Sequence, residues 1–331
     1  MEFRTRVDIE AAEKKIGYKS KLFLIGSCFT NEIGKHFRKG KIQTELNPFG
    51  VLYNPLSTAD AIELLLDRKR FTEDDLYVFN NKYLSFSHDT TFSAADPGEA
   101  LDRINNAIEK ATDSLHEATH IFITFGTSWV YRRREDNSLV ANCHKIPAGE
   151  FTRHLLKHDE IVRRWYSILE RLFKVNSDLN IVFTVSPVRH LKDGAHGNQL
   201  SKSKLIVAIS DLVSSNRNIQ YFPSYEIVLD ELRDYRFYDR DMVHPSEIAI
   251  DYIWEKIREV YFERNTNIIY GNVLKITESL KHELNKNDRE ANVKFAESIL
   301  AKIARLSKDY PFIDLYEEEN YFQNIVNQET K

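Results

Sequence analysis

Short apolar runs alternate with amphipathic stretches along most of the chain. Four runs have the length and composition of buried strands: LFLIG (22–26), HIFITFG (120–126), NIVFTVSP (180–187) and IQYFPSYEIV (219–228). Four stretches carry apolar residues at helical spacing: 57–67, 100–111, 159–175 and 244–262. Strands that alternate with helices predict an α/β fold with a mostly parallel sheet.

The pattern changes after residue 262. Beyond it, the stretch 272–311 predicts two polar, charged helices with modest apolar stripes. We therefore expect an α/β domain at 1–262 and a helical C-terminal extension at 263–331. The extension packs on the core or on a second copy of the chain, so a homodimer through these helices is one expectation.

The composition favours an ordinary globular protein. The 331 residues are 42% hydrophobic and 29% charged, with a formal net charge of −4 and two cysteines. A general affinity for nucleic acid would need a basic excess, and no stretch approaches the roughly 18–20 apolar residues of a membrane span. The first residues lack the apolar region of a secretory signal. We expect a cytoplasmic protein that binds neither nucleic acid nor membrane.

Polar residues follow three of the predicted strands at the point where each strand ends. They are Gly26-Ser27, Gly126-Thr127-Ser128-Trp129 and the segment 186–190, Ser-Pro-Val-Arg-His. The carboxyl ends of parallel strands meet at one edge of the sheet, and ligands of such folds bind there. The sequence therefore predicts a site at this edge.

Ser27 stands where the first strand gives way to a helix. Such a serine is either an ordinary helix cap or a nucleophile. Asp241 and His244, at the entrance of the last core helix, are three residues apart and share one face of a turn. An aspartate there can orient the imidazole as in a Ser-His-Asp triad. Local capping is the alternative explanation for both features.

Cys28 directly follows the candidate nucleophile. A cysteine at a helix N-terminus can be reactive. We expect it instead to pack in the interior, because its side chain should point away from that of Ser27.

Together, the motifs resemble the GSCFA-domain family, which is related to the SGNH (GDSL-like) hydrolases. A serine after the first strand with Asp-x-x-His after the last is the SGNH arrangement, and GSCFT (26–30) resembles the motif that names the GSCFA family. Five further stretches are similar to that family: NPFGVLYNP (47–55), TFGTSWVY (124–131), VANCHKIP (140–147), TVSPVRH (184–190) and DMVHPS (241–246). The resemblance covers about residues 3–262.

The resemblance implies a three-layer α/β/α sandwich of the SGNH-hydrolase or flavodoxin-like kind. It also implies that Ser27 is the nucleophile, that His244 is the base and that Asp241 orients the base.

In SGNH enzymes the oxyanion is bound by the nucleophile's own N–H, a glycine N–H and an asparagine. The resemblance therefore assigns Ser27 and Gly50 as donors, with Asn47 or the hydroxyl of Ser128 in place of the asparagine. Two blocks depart from the SGNH pattern, since Gly26 stands where GDS has aspartate and Ser128 stands where asparagine is expected.

Several other residues are candidates for binding a substrate. Arg189 and His190 follow the third long strand, where an arginine suits a carboxylate or phosphate or forms a structural salt bridge. Trp129, with Tyr131, either stacks on a sugar or packs in the core.

The loops supply three further candidates. His144 and Lys145 lie in a stretch similar to the GSCFA family, and they either bind a substrate oxygen or belong to a solvated loop. His88 lies in a long loop that could form a lid, or is merely exposed.

The sequence analysis leads to a serine-dependent hydrolase or acyltransferase that acts on an ester, with an acylated carbohydrate as one substrate class. The alternative is a catalytically silent module that binds a small molecule or carbohydrate on the same fold. Neither a metal motif nor a dinucleotide motif is found, so no cofactor is expected.

Overall fold

A sheet of five parallel strands lies at the centre of the fold. The computed structural model describes residues 4–284 and 288–329. The strands of this sheet are β1 (Leu22–Gly26), β2 (Thr44–Leu46), β5 (His120–Phe125), β9 (Asn180–Val185) and β10 (Ile219–Phe222). Their order is β10-β9-β5-β1-β2. Gly26 aligns with Thr124, and Phe125 aligns with Val185, so the central strands end side by side.

Helices cover both faces of this sheet. They are α1 (Cys28–Lys39), α2 (Pro55–Leu66), α3 (Pro97–Glu117), α4 (His158–Val175), α5 (Gly194–Ser215), the short turn α6 (Ser224–Glu226) and α7 (Glu247–Tyr261). Helices α1 and α7 pack over Leu22 and Leu24, while α2 to α5 pack over Phe23 and Ile25. Successive residues of a strand face opposite sides, so the apolar run of β1 serves both cores. The predicted α/β/α sandwich is confirmed.

Two small antiparallel sheets lie outside the main sheet, and the apolar pattern did not predict them. One is the hairpin of β3 (Tyr77–Phe79) and β4 (Lys82–Leu84). The other contains β6 (Trp129–Arg133), β7 (Leu139–Val140) and β8 (Phe151–Leu155), with β6 in the middle. Tyr131 pairs with Arg153 across β6 and β8, which brings an aromatic and a cationic side chain onto one face.

One predicted boundary needs correction, and one helix was missed. The strand expected over 219–228 ends at Phe222, because Pro223 follows and the chain then turns into a short helical segment. Helix α5 was not predicted, although it is 22 residues long. Its first turns contain glycines and polar residues, so the apolar pattern there is weak.

Within the described residues, the C-terminal part contains the two helices expected over 272–311, α8 (Arg264–Ser279) and α9 (Arg289–Asp309), and a third helix that was not predicted, α10 (Tyr316–Glu329). Their apolar side chains pack against each other, as Val273, Ile303 and Phe322 do. Tyr270 of α8 accepts a hydrogen bond from Trp254 Nε1 of α7 at 3.0 Å, which ties these helices to the sandwich. Association of two copies through them stays a prediction. Within the described residues, none of the helices combines the length and apolar character needed to span a membrane.

Candidate functional site

The predicted site edge is formed by the ends of β1, β5 and β9. Ser27, Gly126 and Ser186 directly follow these three strands. The loop over 238–246 comes back to the same edge, because Val243 O accepts a hydrogen bond from Arg189 N at 3.0 Å. Residues that are distant in sequence therefore meet at one place.

Gly26 and Ser27 make the tight passage from β1 into α1. Gly26 has φ +144°, and a Cβ at this position would overlap the carbonyl of Thr124. Ser27 is the residue before the first helical turn and is 1% exposed. Its N–H donates to Thr124 O at 3.2 Å, and among the described residues its Oγ has no hydrogen-bond partner. Ser27 Oγ is therefore not bonded to His244.

Cys28, the next residue, is the one that faces His244. Its Sγ lies 3.8 Å from His244 Nε2. The side chain is partly exposed and contributes to the walls of two cavities. The expectation that Cys28 only packs in the interior is wrong.

Asp241 orients His244 by a short hydrogen bond. His244 Nδ1 donates to Asp241 Oδ2 at 2.6 Å, and Asp241 Oδ1 accepts from the backbone N–H groups of Val243 and His244, both at 2.9 Å. These bonds, led by the backbone N–H and then the side chain of His244, lower the pKa of Asp241 to about 2. Because a carboxylate only accepts, the Nδ1 proton is fixed, and Nε2 of neutral His244 is free to take a proton from Cys28.

The environment of the Cys28 thiol contains opposing influences. Burial raises its pKa, while the backbone N–H groups of Phe29 and Cys28 and the positive charge of Lys202 lower it. Burial is the largest influence, so the resting group is a thiol rather than a thiolate. A base such as His244 is then needed for the sulfur to react as a nucleophile.

Lys202 is a buried cation beneath the site that sequence reasoning missed. Its side chain is fully buried, and Nζ donates to the carbonyl oxygens of Gly126 and Ser186, both at 2.6 Å. It thereby links the ends of β5 and β9. Burial lowers its pKa to about 7, against the influence of Cys28. A usable signal was its spacing, since Asn198, Lys202 and Leu205 share one buried face of α5.

Each predicted oxyanion donor has an acceptor in the structure. The N–H of Gly50 donates to Asn47 O at 2.8 Å, and Asn47 Nδ2 donates to Asn31 Oδ1 at 2.7 Å. Asn47 Oδ1 accepts from Gly26 N at 2.8 Å, so Asn47 holds the turn after β1.

Ser128, the other candidate to replace the asparagine donor, is fully buried. Its N–H donates to Ser201 Oγ at 2.8 Å, and its Oγ lies 3.1 Å from both Ser201 oxygens. These contacts bind the loop after β5 to α5. Ser128 therefore has a local structural partner for each of its polar groups.

Two cavities meet at Cys28 and His244. The first, which we call the basic cavity, has a volume of about 730 Å³ and is lined by Arg153, Arg189 and Lys192 among others. The second, which we call the acidic groove, has a volume of about 880 Å³ and lies between α1, α7 and α8. The Cys28 and His244 side chains contribute to both.

Trp129, Arg189 and His190, three of the predicted substrate-binding residues, line the basic cavity. Arg153 stacks on Trp129 with its guanidinium carbon 4.0 Å from the ring centre. Burial, with the positive charge of Lys202, lowers the pKa of His190 to about 4. His190 is therefore neutral at pH 7.

The other three predicted substrate-binding residues do not line this cavity. His88 is not on an exposed lid: it is fully buried, stacks on Phe49 with ring centres 4.7 Å apart, and bonds Ser85 Oγ through Nδ1 at 3.0 Å. His144 is buried and donates from Nε2 to Ser85 O at 2.9 Å. Lys145 is exposed. The loop that carries His88 is therefore held in place by contacts of His88 itself and of His144.

Comparison with known proteins identifies the family. Among curated proteins, none matches the chain. The family model described as "GSCFA family" matches residues 21–257. This span covers more than half of the chain and includes Cys28, Lys202, Asp241 and His244. The chain therefore belongs to the GSCFA family.

Proposed function

We propose that the protein is an acyl hydrolase or acyltransferase that acts on esters, acylated carbohydrates among them, and that Cys28 is its nucleophile. The observation that carries this proposal is the chain of contacts from Asp241 Oδ2 to His244 Nδ1 (2.6 Å) and from His244 Nε2 to Cys28 Sγ (3.8 Å). A nucleophile, a base and a group that orients the base form the general signature of covalent acyl transfer.

The reaction would run in two steps. His244 Nε2 takes the thiol proton while Cys28 Sγ attacks the ester carbonyl, and the resulting tetrahedral intermediate expels the alcohol, which receives that proton from His244. A thioester on Cys28 remains. Water or an acceptor hydroxyl then attacks the thioester, His244 takes its proton, and the thiolate leaves and is reprotonated.

The N-terminus of α1 supports charge on the sulfur. The first N–H groups of a helix have no acceptor within the helix, and the partial positive charge there favours an anion. The N–H groups of Phe29 and Cys28 are among the influences that lower the pKa of Cys28.

The choice of Cys28 also shifts the alignment with the SGNH pattern by one residue. If Cys28 rather than Ser27 takes the place of the serine in GDS, Gly26 coincides with the glycine of that motif. Ser27 then occupies the position of the aspartate. Ser27 as nucleophile is the alternative that the experiment must exclude.

The test is to trap the acyl-enzyme. The protein is mixed with 4-nitrophenyl acetate, the burst of nitrophenolate is followed, and the acetylated residue is located by peptide mapping. We expect acetyl on Cys28 in wild type and in Ser27→Ala, and none on this peptide in Cys28→Ala. His244→Ala should slow the burst by about 10²-fold or more. Cys143→Ala is the matched control, since Cys143 is the second cysteine that lines the basic cavity.

Acetyl on Ser27, with an undiminished burst in Cys28→Ala, would replace the proposal by a serine enzyme. A well-folded wild type that is not acetylated at all would favour the binding module instead. The observation in favour of that second candidate is that Gly50, Asn47 and Ser128 all have local acceptors.

A further inference from the structure

The basic cavity holds more positive than negative charge. Its lining includes three cations, Arg153, Arg189 and Lys192, and a single carboxylate, Asp193, which leaves a net charge of +2 before the histidines are counted. The charge of Asp193 is paired with that of Arg153, because the two side chains form two hydrogen bonds of 2.5 and 2.6 Å. Arg189 and Lys192 therefore carry the excess.

Arg189 is the cation with the least local compensation. Among the residues that the structure describes, its side chain makes neither a hydrogen bond nor an ion pair, and its Nε is buried without a partner. Its positive charge acts on Lys202 and Tyr225. The structural salt bridge that would otherwise explain an arginine here is absent from the described contacts.

Lys192 extends the positive charge along the wall. Its Nζ donates to the hydroxyl of Tyr131 at 3.0 Å and forms no ion pair with the described carboxylates. The lysine and Arg153 both lie against the ring of Tyr131. A ligand group between Arg189 and Lys192 would thus meet donors from both ends of one loop.

The acidic groove on the other side of Cys28 and His244 has the opposite sign. Its lining contains six carboxylates and four Lys or Arg side chains, a net charge of −2. Clefts of one sign raise the local concentration of the oppositely charged ligand. An anionic substrate is therefore drawn to one side of the thiol and repelled from the other.

We propose that the substrate carries an oxyanion, a carboxylate or a phosphate, which binds in the basic cavity beside Arg189 and Lys192 and orients the ester toward Cys28. This inference rests on the proposed function for the identity of the reacting group. The anion site itself is defined by the charges of the cavity and can be tested without any turnover.

The first measurement compares two alkylating reagents of nearly equal size at Cys28, anionic iodoacetate and neutral iodoacetamide, with the product mapped by peptide. The quantity measured is the ratio of the iodoacetate rate to the iodoacetamide rate. Its reference value is the ratio found for the urea-unfolded chain. We expect the iodoacetate-to-iodoacetamide ratio to be about tenfold higher in the folded protein and to fall as salt is added. Arg189→Gln combined with Lys192→Gln should bring the ratio back to the reference.

Lys82→Gln is the control, because Lys82 is an exposed lysine that lines neither cavity. It should leave the ratio unchanged. A folded-state ratio equal to the reference, or a raised ratio that Arg189→Gln and Lys192→Gln do not lower, would overturn the anion site.

A second measurement does not depend on the thiol. Succinate and inorganic phosphate are titrated calorimetrically into wild type and into the Arg189→Gln, Lys192→Gln variant. Binding of succinate alone identifies a carboxylate site, and binding of phosphate alone identifies a phosphate site. Loss of the observed binding in the variant supports the proposal. No binding of either anion by wild type would overturn it. If Cys28 resists both alkylating reagents, that result contradicts the proposed function, and the calorimetric result alone decides on the anion site.

Discussion

Asp241 holds the imidazole of His244 through a hydrogen bond of 2.6 Å, and the other oxygen of the same carboxylate accepts from the backbone N–H groups of Val243 and His244. The Asp241 side chain thus fixes both the orientation of the ring and the conformation of the loop that carries it. The imidazole is oriented locally, by a four-residue turn, rather than by contacts from another layer of the fold.

Replacing Asp241 by alanine should disable the base without unfolding the protein. The imidazole loses its fixed tautomer and its orientation, so acetylation of Cys28 by 4-nitrophenyl acetate is expected to slow by about 10²-fold. The rate is measured from the burst of nitrophenolate. Arg240→Ala, a neighbouring exposed position, is the control. An Asp241→Ala variant that acetylates as fast as wild type would contradict a role of this pair in the reaction.

Three histidines with lowered pKa values make the protein sensitive to acid. Burial lowers the pKa of His88 to about 3 and those of His120 and His190 to about 4. Between these values and about 6.5, the unfolded chain binds more protons than the folded one, so the free energy of unfolding falls as pH falls through this window. The slope is about 1.4 kcal/mol per pH unit for each group. Urea titrations at pH 7 and pH 5 measure this change in the free energy of unfolding.

His88→Gln removes one of these proton sites, so its loss of stability between pH 7 and pH 5 should be smaller than that of wild type. His196→Gln, at an exposed position, should behave as wild type. Equal pH dependence of wild type and His88→Gln would show that His88 does not titrate in this way.

Lys202→Met should destabilise the protein, and by more at high pH. The substitution leaves the carbonyls of Gly126 and Ser186 without a donor, at a cost of about 1–3 kcal/mol for each, offset in part by removal of a buried charge. The pKa of Lys202 is lowered from 10.5 to about 7, so the unfolded chain binds more protons between these values. Wild type then gains stability relative to the variant as pH rises from about 7 to 9.

Urea unfolding of wild type, Lys202→Met and Lys204→Met at pH 7 and pH 9 tests this. Lys204 lies on the same helix but outside the fully buried face. If the difference in the free energy of unfolding between wild type and Lys202→Met is smaller at pH 9 than at pH 7, the lowered pKa of a buried Lys202 is contradicted.

Gly26→Ala should be among the most damaging single substitutions. Its φ of +144° is unfavourable for any residue with a Cβ, and the added methyl would overlap Thr124 O. We expect a loss of about 3 kcal/mol from the backbone strain alone, seen as a lower melting temperature or no soluble protein. Gly149→Ala is the matched control, since a Cβ there meets nothing within 4 Å. Equal melting temperatures of the two variants would contradict the requirement for glycine at position 26.

The central strands were predictable because each is buried on both faces and therefore appears as an unbroken apolar run. The runs starting at Leu22, His120 and Asn180 begin at the strand starts of the structure. Helix α5 escaped prediction because its N-terminal turns contain Gly194, Gly197 and several polar residues. Lysine is also rarely buried, so Lys202 did not count as a core position.

The candidate nucleophile could not be chosen from sequence. Ser27 and Cys28 are adjacent, and both residue types serve as nucleophiles. Which of them faces His244 depends on the backbone angles at Gly26 and Ser27, a property that the apolar pattern does not encode. The i, i+3 spacing of Asp241 and His244, by contrast, is local, and the expected hydrogen bond between them is present in the structure.

The position of Cys28 between the basic cavity and the acidic groove has a consequence for the order of events in the proposed reaction. A thiol reached through one entrance must release the first alcohol before the second molecule can enter. Because Cys28 lines both cavities, the departing alcohol and the incoming acceptor of the proposed reaction would have separate routes to the same sulfur. The fate of the thioester, transfer or hydrolysis, would then be set by whether the acidic groove holds an acceptor or only water at the moment the thioester forms.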